Sequence, residues 1–153
     1  MFVTSINMQK IIIFDFNRTI YDPDRGALLP NVELVLQTLQ TMGFALFLVS
    51  RAGESRRKLI ADLGIAKYFV DIVVSDEKSR KDFASLLSPE VSLPQSFVVG
   101  DRVRQEIAIG NSLGFQTIWL RQGRFSQETP QNDQEEPKFI IQNLSDLPGL
   151  LSG

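Results

Sequence analysis

An α/β fold is predicted: a Rossmann-like, doubly wound, mostly parallel sheet with helices on both faces. Three observations predict it. Short continuous apolar runs alternate with amphipathic segments along the chain. Strands joined by helices imply right-handed crossovers and a sheet covered on both sides. The 153 residues, 43% hydrophobic and 22% charged, suit a single globular domain over residues 1–153.

The elements follow in order. Residues 1–9 are expected to be a flexible N-terminus. Lys10–Phe16 (KIIIFDF) is an apolar run that suits a strand buried on both faces. Asn31–Met42 carries Val32, Val35, Leu36 and Leu39 on one stripe, with Pro30 and Asn31 at its start and Gly43 at its stop, so a helix is expected. Phe44–Ser50 predicts a second strand, Glu54–Leu63 a basic amphipathic helix, and Asp71–Ser75 a third strand. Lys78–Leu87 predicts a helix, Ser96–Gly100 a fourth strand, Val103–Leu113 a helix ended by Gly114, and Phe115–Leu120 a fifth strand. Residues 121–138, rich in glutamine and acids and holding Gly123, Pro130 and Pro137, predict a mobile loop. Lys138–Ile141 suits an edge strand and Leu144–Leu151 a last short helix.

Composition narrows the chemistry. The chain has no cysteine and no histidine, so thiol nucleophiles, imidazole bases, Ser-His-Asp triads and His- or Cys-ligated metals are excluded. The formal net charge of −2 gives no bulk positive field for nucleic acid, and none is expected as a partner. The apolar runs are too short to span a bilayer and the N-terminus lacks a signal-peptide pattern, so no membrane is expected and a cytoplasmic location is. Any chemistry must run on carboxylates, lysine, hydroxyls and a hard cation held by oxygen.

Ligands of an open parallel sheet bind beyond the carboxyl ends of the strands, near the switch in strand order. The residues there are Asp15 with Asn17 and Thr19, then Ser50, then Ser75 through Lys78, then Asp101. Two carboxylates converging at one sheet edge repel unless a cation joins them, and Mg²⁺ suits an all-oxygen set completed by water and phosphate. A lysine and a serine hydroxyl beside them would stabilise phosphoryl oxygens, so phosphoryl transfer onto an aspartate is the chemistry these residue types support.

The same residues carry a resemblance. Asp15-Phe16-Asn17-Arg18-Thr19 after an apolar strand looks like the nucleophile motif of the haloacid dehalogenase-like (HAD) superfamily, whose usual phosphatase form is Asp-x-Asp-x-Thr. Ser50 ending an apolar strand, Lys78 ahead of Phe83, and Gly100-Asp101 followed by Glu106 resemble the second, third and fourth motifs. Together they cover about residues 10–122. The resemblance implies a Mg²⁺-dependent phosphohydrolase working through an aspartyl-phosphate. It implies Asp15 as nucleophile and metal ligand, the Asn17 carbonyl and Asp101 as further ligands, and Glu106 acting through water or behind the ligands. Ser50, Arg51 and Lys78 would bind the phosphoryl group and Thr19 would support the first loop.

Two positions depart from the pattern. Asn17 stands where phosphatases of the family place an aspartate that protonates the leaving group and activates water, which an amide cannot do. Activity is then expected to be weak and biased toward good leaving groups. The alternative is a decayed member that binds a phosphorylated ligand or a protein partner. Glu106 replaces an aspartate and lengthens it by one methylene. Lys81, one helical turn from Lys78, is a second candidate for the motif lysine. Arg51, Arg56, Arg57 and Lys58 form a basic cluster, read most simply as a solvated face, as are Arg102 and Arg104. Trp119, Phe14, Phe44 and Phe47 are read as core.

The spacings predict no cap domain. Asp15 to Ser50 spans 35 residues and Ser50 to Lys78 spans 28, each filled by one helix and one strand. Only a hairpin-like flap over Ile20–Leu29 fits, with Asp22-Pro23 and Arg25-Gly26 as turn signals. An open site suits a phosphorylated small molecule or macromolecule, or closure by a second copy in a homo-oligomer.

Overall fold

The computed structural model of the chain describes residues 8–53 and 55–152. The main sheet contains β1 (Ile11–Asp15), β4 (Ala45–Arg51), β5 (Asp71–Ser75), β6 (Phe97–Gly100), β7 (Gln116–Leu120) and β8 (Phe139–Ile141), with β2 (Tyr21–Asp22) and β3 (Ala27–Leu28) forming a separate ribbon. The helices are α1 (Val32–Thr41), α2 (Arg56–Asp62), α3 (Arg80–Ala84), α4 (Ala108–Leu113) and α5 (Leu147–Leu151). The sheet order is β5-β4-β1-β6-β7-β8, and every pairing in it is parallel.

Every residue of β1 is buried, as a central strand covered on both sides must be. Successive side chains of a strand point to opposite faces. Ile12, Phe14, Leu46, Leu48, Val99, Ile118 and Leu120 accordingly join one core cluster with Val35 and Leu36 of α1, Ile60 of α2 and Leu147 of α5. Ile11, Ile13, Phe47, Val49 and Val98 join a second cluster with Phe83 of α3 and Phe115. Helices therefore cover both faces, and the fold is the doubly wound α/β architecture that the residue pattern predicts.

The flap is a short antiparallel ribbon, with Tyr21 paired to Leu28 and Asp22 to Ala27. Among the described residues no cap domain is inserted after β1 or β4.

Several boundaries differ from expectation. Residues 1–7 of the expected flexible N-terminus and Glu54, the expected first residue of α2, lie outside the described residues. Gln9 is tied down, donating its N–H to Glu90 O at 2.7 Å and accepting from Ser92 N at 2.8 Å. The helix expected over Lys78–Leu87 contracts to Arg80–Ala84, because Leu86 and Leu87 N–H turn to carbonyls three residues back ahead of Pro89.

The helix expected over Val103–Leu113 begins with a π turn over Val103–Ile107, in which Ile107 N donates to Arg102 O at 3.4 Å. The expected loop 121–138 contains 3₁₀ turns at Gly123–Phe125 and Asp133–Glu135. It packs on the π turn and α4. Glu128 accepts from Arg102 Nη2 at 3.0 Å and from Val103 N at 2.9 Å, and Asn111 Nδ2 donates to the carbonyls of Gln134 and Glu136, each at 2.7 Å.

Candidate active site

Counted along the main sheet, the strands run 3-2-1-4-5-6, so the order switches between β1 and β6. Asp15 ends β1 and Asp101 follows β6, and the two acids rise from neighbouring strand tips at that switch. One carboxylate oxygen from each of Asp15, Asp101 and Glu106 lies within 4.8 Å of the others. All three residues are buried: 3%, 2% and 0% exposed. A cavity of about 150 Å³ opens over them, lined by Asp15, Asn17, Arg18, Ser50, Arg51, Lys78, Asp101, Arg102, Gln105 and Glu106.

Each group is placed by local backbone. After Asp15 the Phe16 carbonyl accepts from Thr19, Ile20 and Tyr21 N–H, closing a tight loop that turns Asn17 and Arg18 into the cavity. Arg18 adopts φ 61°, in the left-handed region that favours glycine. Ser50 is fully buried in β4; its Oγ accepts from Arg56 Nη1 at 2.7 Å and donates to Arg51 O at 3.0 Å. Arg56 also stacks over Phe16, at 4.7 Å from the ring centroid.

Lys78, at φ 45°, precedes α3, and its side chain is 9% exposed. Its Nζ donates to Asp15 Oδ1 at 2.7 Å and to Glu106 Oε1 at 2.5 Å. Lys81 is exposed on α3 and does not line the cavity, so the geometry selects Lys78 of the two lysines.

Glu106 reaches the cluster from the π turn, and its Oε2 accepts from Arg102 N at 3.3 Å. Gly100 makes room for it. A Cβ on Gly100 would lie 2.6 Å from Glu106 Cβ and 2.8 Å from its Cγ and Oε2. The Asp101 carbonyl is held by Trp119 Nε1 at 2.9 Å, and Asp101 Oδ2 by Arg18 Nε at 3.1 Å. Trp119 is core, as expected, and also serves this loop.

Three carboxylates here meet two contacting cations, Lys78 and Arg18. Burial, followed by the charges of Asp15 and Glu106, pushes the Asp101 carboxyl up to about 8 against the pull of Arg18. Burial and then Asp15 push Glu106 up to about 7 against Lys78. Burial pulls the Lys78 ammonium down, but Asp15 and Glu106 outweigh it and hold it above the ordinary lysine value. The site is short of positive charge. Its three buried carboxylates, an all-oxygen donor set, fit a hard divalent cation.

Three sequence-selected residues stand differently from the rest. Asn17 lines the cavity, but its Oδ1 is buried without a hydrogen-bond partner among the described residues. Thr19 does not line the cavity; it is fully buried, with Oγ1 also unpartnered among the described residues. Arg51 is exposed at the rim.

The sequence gives no role to Arg18, Gln105 or Phe125, and Arg56 and Arg102 read there as solvated. Arg18, Arg102 and Arg124 all face the Phe125 ring, at 4.9, 4.1 and 5.4 Å from its centroid. Arg18 had a local signal, since it lies inside the Asp15 motif. Phe125 had none, because its approach depends on the 121–138 segment folding back.

A doubly wound sheet with an acid–lysine cluster at its switch point defines the class of HAD-type hydrolases. Comparison with known proteins agrees. The HAD-hydrolase-like family model matches residues 78–147. Glyceraldehyde 3-phosphate phosphatase of Methanopyrus kandleri is 32% identical over 126 residues, covering 77% of this chain and 54% of that protein. The chain thus spans about half the length of that relative.

Among solved structures, a haloacid dehalogenase-like family hydrolase from Xanthomonas campestris superposes with a TM-score of 0.75 at 11% identity, covering 95% of each chain. A 2-haloacid dehalogenase from Pseudomonas syringae pv. Tomato gives 0.73 at 17%, covering 95% of this chain and 99% of that one. A HAD phosphatase from Thermococcus onnurineus gives 0.66 at 21%, covering 82% of this chain and 59% of that one. The chain belongs to the haloacid dehalogenase-like superfamily, and its described residues include no cap domain.

Proposed function

We propose that the protein is a Mg²⁺-dependent phosphomonoesterase that works through an aspartyl-phosphate on Asp15 and is slowed on poor leaving groups by Asn17. The observation that carries this reading is the position of Asp15. Its Oδ1 is held by Lys78, while no hydrogen bond from the described residues reaches Oδ2, and the acid lines a cavity beside Asp101 and Glu106. The phosphatase name of the Methanopyrus relative supports a phosphate ester as substrate.

Asp15, Asp101 and the backbone carbonyl of Asn17 would hold Mg²⁺, with Glu106 behind them. When bound, the cation supplies the positive charge that lets a carboxylate approach an anionic phosphoryl group. In the first step an Asp15 oxygen bonds to phosphorus as the ester P–O bond breaks. The leaving oxygen departs with the electron pair and takes its proton from solvent, because the Asn17 amide has none to give. Lys78 stabilises the transferred oxygens, and Ser50 and Arg51 border them. Water then attacks the phosphorus, the bond to Asp15 breaks, and phosphate leaves with the carboxylate restored. The neutral Asn17 amide cannot take the water's proton, so this step is slow as well.

Asn17 also favours a second reading, a non-hydrolytic module that binds a phosphorylated ligand or protein partner. Release of p-nitrophenol from p-nitrophenyl phosphate, with and without Mg²⁺, separates the two. Metal-dependent turnover that Asp15→Asn abolishes supports the hydrolase. A rate that neither Mg²⁺ nor this substitution changes supports the binding module.

A further inference from the structure

We propose that Arg18 is a built-in competitor for the divalent cation: its guanidinium occupies Asp101 when no cation is bound, and must leave that carboxylate for one to bind. The inference rests on the metal-site reading above.

Four observations converge on Arg18. Its Nε lies 3.1 Å from Asp101 Oδ2, one of the three clustered acids. Its backbone takes φ 61°, a conformation glycine would adopt more easily, so a long side chain sits where the backbone alone would not choose one. The residue is fixed at its base: its N–H donates to Tyr21 O at 2.6 Å and its carbonyl accepts from Gln122 Nε2 at 3.3 Å. Its side chain also has a second partner. The guanidinium lies 4.9 Å from the Phe125 centroid and the side chain is 26% exposed, so release from Asp101 leaves it against an aromatic face and in contact with water.

The two cations of the cluster differ in this respect. Lys78 bridges Asp15 and Glu106 and is nearly enclosed, whereas Arg18 touches Asp101 alone and is the more exposed. A partly exposed pair is the weaker one and yields first. Arg102 supplies an internal control. It stacks on the same Phe125 ring but pairs with Glu128, outside the acid cluster.

Titration calorimetry of the full chain with MgCl₂ tests this without any substrate. Arg18→Gln keeps the bulk of the arm and removes its charge. It is expected to tighten Mg²⁺ binding roughly two- to fivefold, the range such an ion pair supports. Arg18→Lys is expected to stay near the wild type, and Arg102→Gln to change the affinity less than Arg18→Gln does. A wild-type protein whose Mg²⁺ binding is lost in Asp101→Asn but unchanged in Arg18→Gln overturns the inference and leaves the metal site standing. So does an equal gain from Arg102→Gln, which would mark a general charge effect. Absence of Mg²⁺ binding in the wild type overturns both. Should Arg18→Gln not fold, the wild-type Arg Nε–Hε NMR signal that is missing in Arg18→Lys is expected to move on Mg²⁺ addition, and a signal that stays fixed overturns the proposal.

Discussion

Lys78 Nζ donates to Asp15 Oδ1 at 2.7 Å, a contact made across 63 residues of chain. The same ammonium reaches Glu106, so one buried cation holds two of the three acids apart from each other's charge. Removing it leaves carboxylates uncompensated, and breaking a buried pair in this way costs ~3–5 kcal/mol. Lys78→Met is therefore expected to lower the melting temperature sharply, with Mg²⁺ restoring part of it, and to remove turnover. Lys81→Met, on the exposed face of α3, is the matched comparison and should leave both unchanged. Thermal melts with and without MgCl₂ check the pair.

Asn17 sets the second prediction. General acid–base assistance contributes about 10²–10⁴-fold, most for leaving groups that need a proton. Asn17→Asp is expected to raise kcat/KM on alkyl phosphates by that order and to change aryl phosphate turnover far less. An equal effect on both classes would remove the acid–base explanation of this position.

The raised carboxyls of Asp101 and Glu106 make stability depend on pH in a definite direction. Both bind protons more readily in the folded chain, at about 8 and about 7, than in the unfolded chain. Their contribution is full below the unfolded carboxylate range and is lost as pH rises through the folded values. The metal-free melting temperature should fall between about pH 5 and about pH 8. Cation binding needs the ionised acids, so the shift produced by Mg²⁺ should grow over the same interval. Melts at the two ends of that range decide it, and a larger Mg²⁺ shift at the acid end would contradict the assignment.

Gly100 is expected to tolerate no side chain. Its phantom Cβ meets Glu106 Cβ at 2.6 Å, and Glu106 cannot retreat while Lys78 and Arg102 N hold its two oxygens. Gly100→Ala should cost ~1–3 kcal/mol by overpacking and weaken Mg²⁺ binding by displacing Glu106. Chemical denaturation and calorimetry measure the two effects separately.

The sheet was legible in the sequence because its strands are buried on both faces and read as unbroken apolar runs, Ile11–Phe14 most clearly. The strand tips were legible for the same reason, since each run stops at a polar residue that the topology then gathers. Asp15, Ser50, Lys78, Asp101 and Glu106 lie around one cavity. Periodicity could not reveal the π turn, whose first N–H, that of Val103, is held by Glu128 from the distant loop. Nor could it single out Arg18, Arg56 and Arg102, because a lone arginine shows no sign of whether water or a buried acid will receive it. Those residues acquire partners only through tertiary contacts.

The parallel order of the sheet has a consequence for synthesis. β1 is central yet leaves the ribosome before both its neighbours, β4 and β6, the second of which emerges with residues 97–100. Until then the nascent chain carries one of its most hydrophobic segments with an open side, a condition that invites chaperone capture. The acidic cluster shares this delay, because Asp101 and Glu106 are translated after Asp15 and Lys78 have already been made. A polypeptide interrupted before β6 would hold Asp15 without Asp101 and Glu106, so damage to the latter third of the chain would dismantle the acid cluster without touching the first motif.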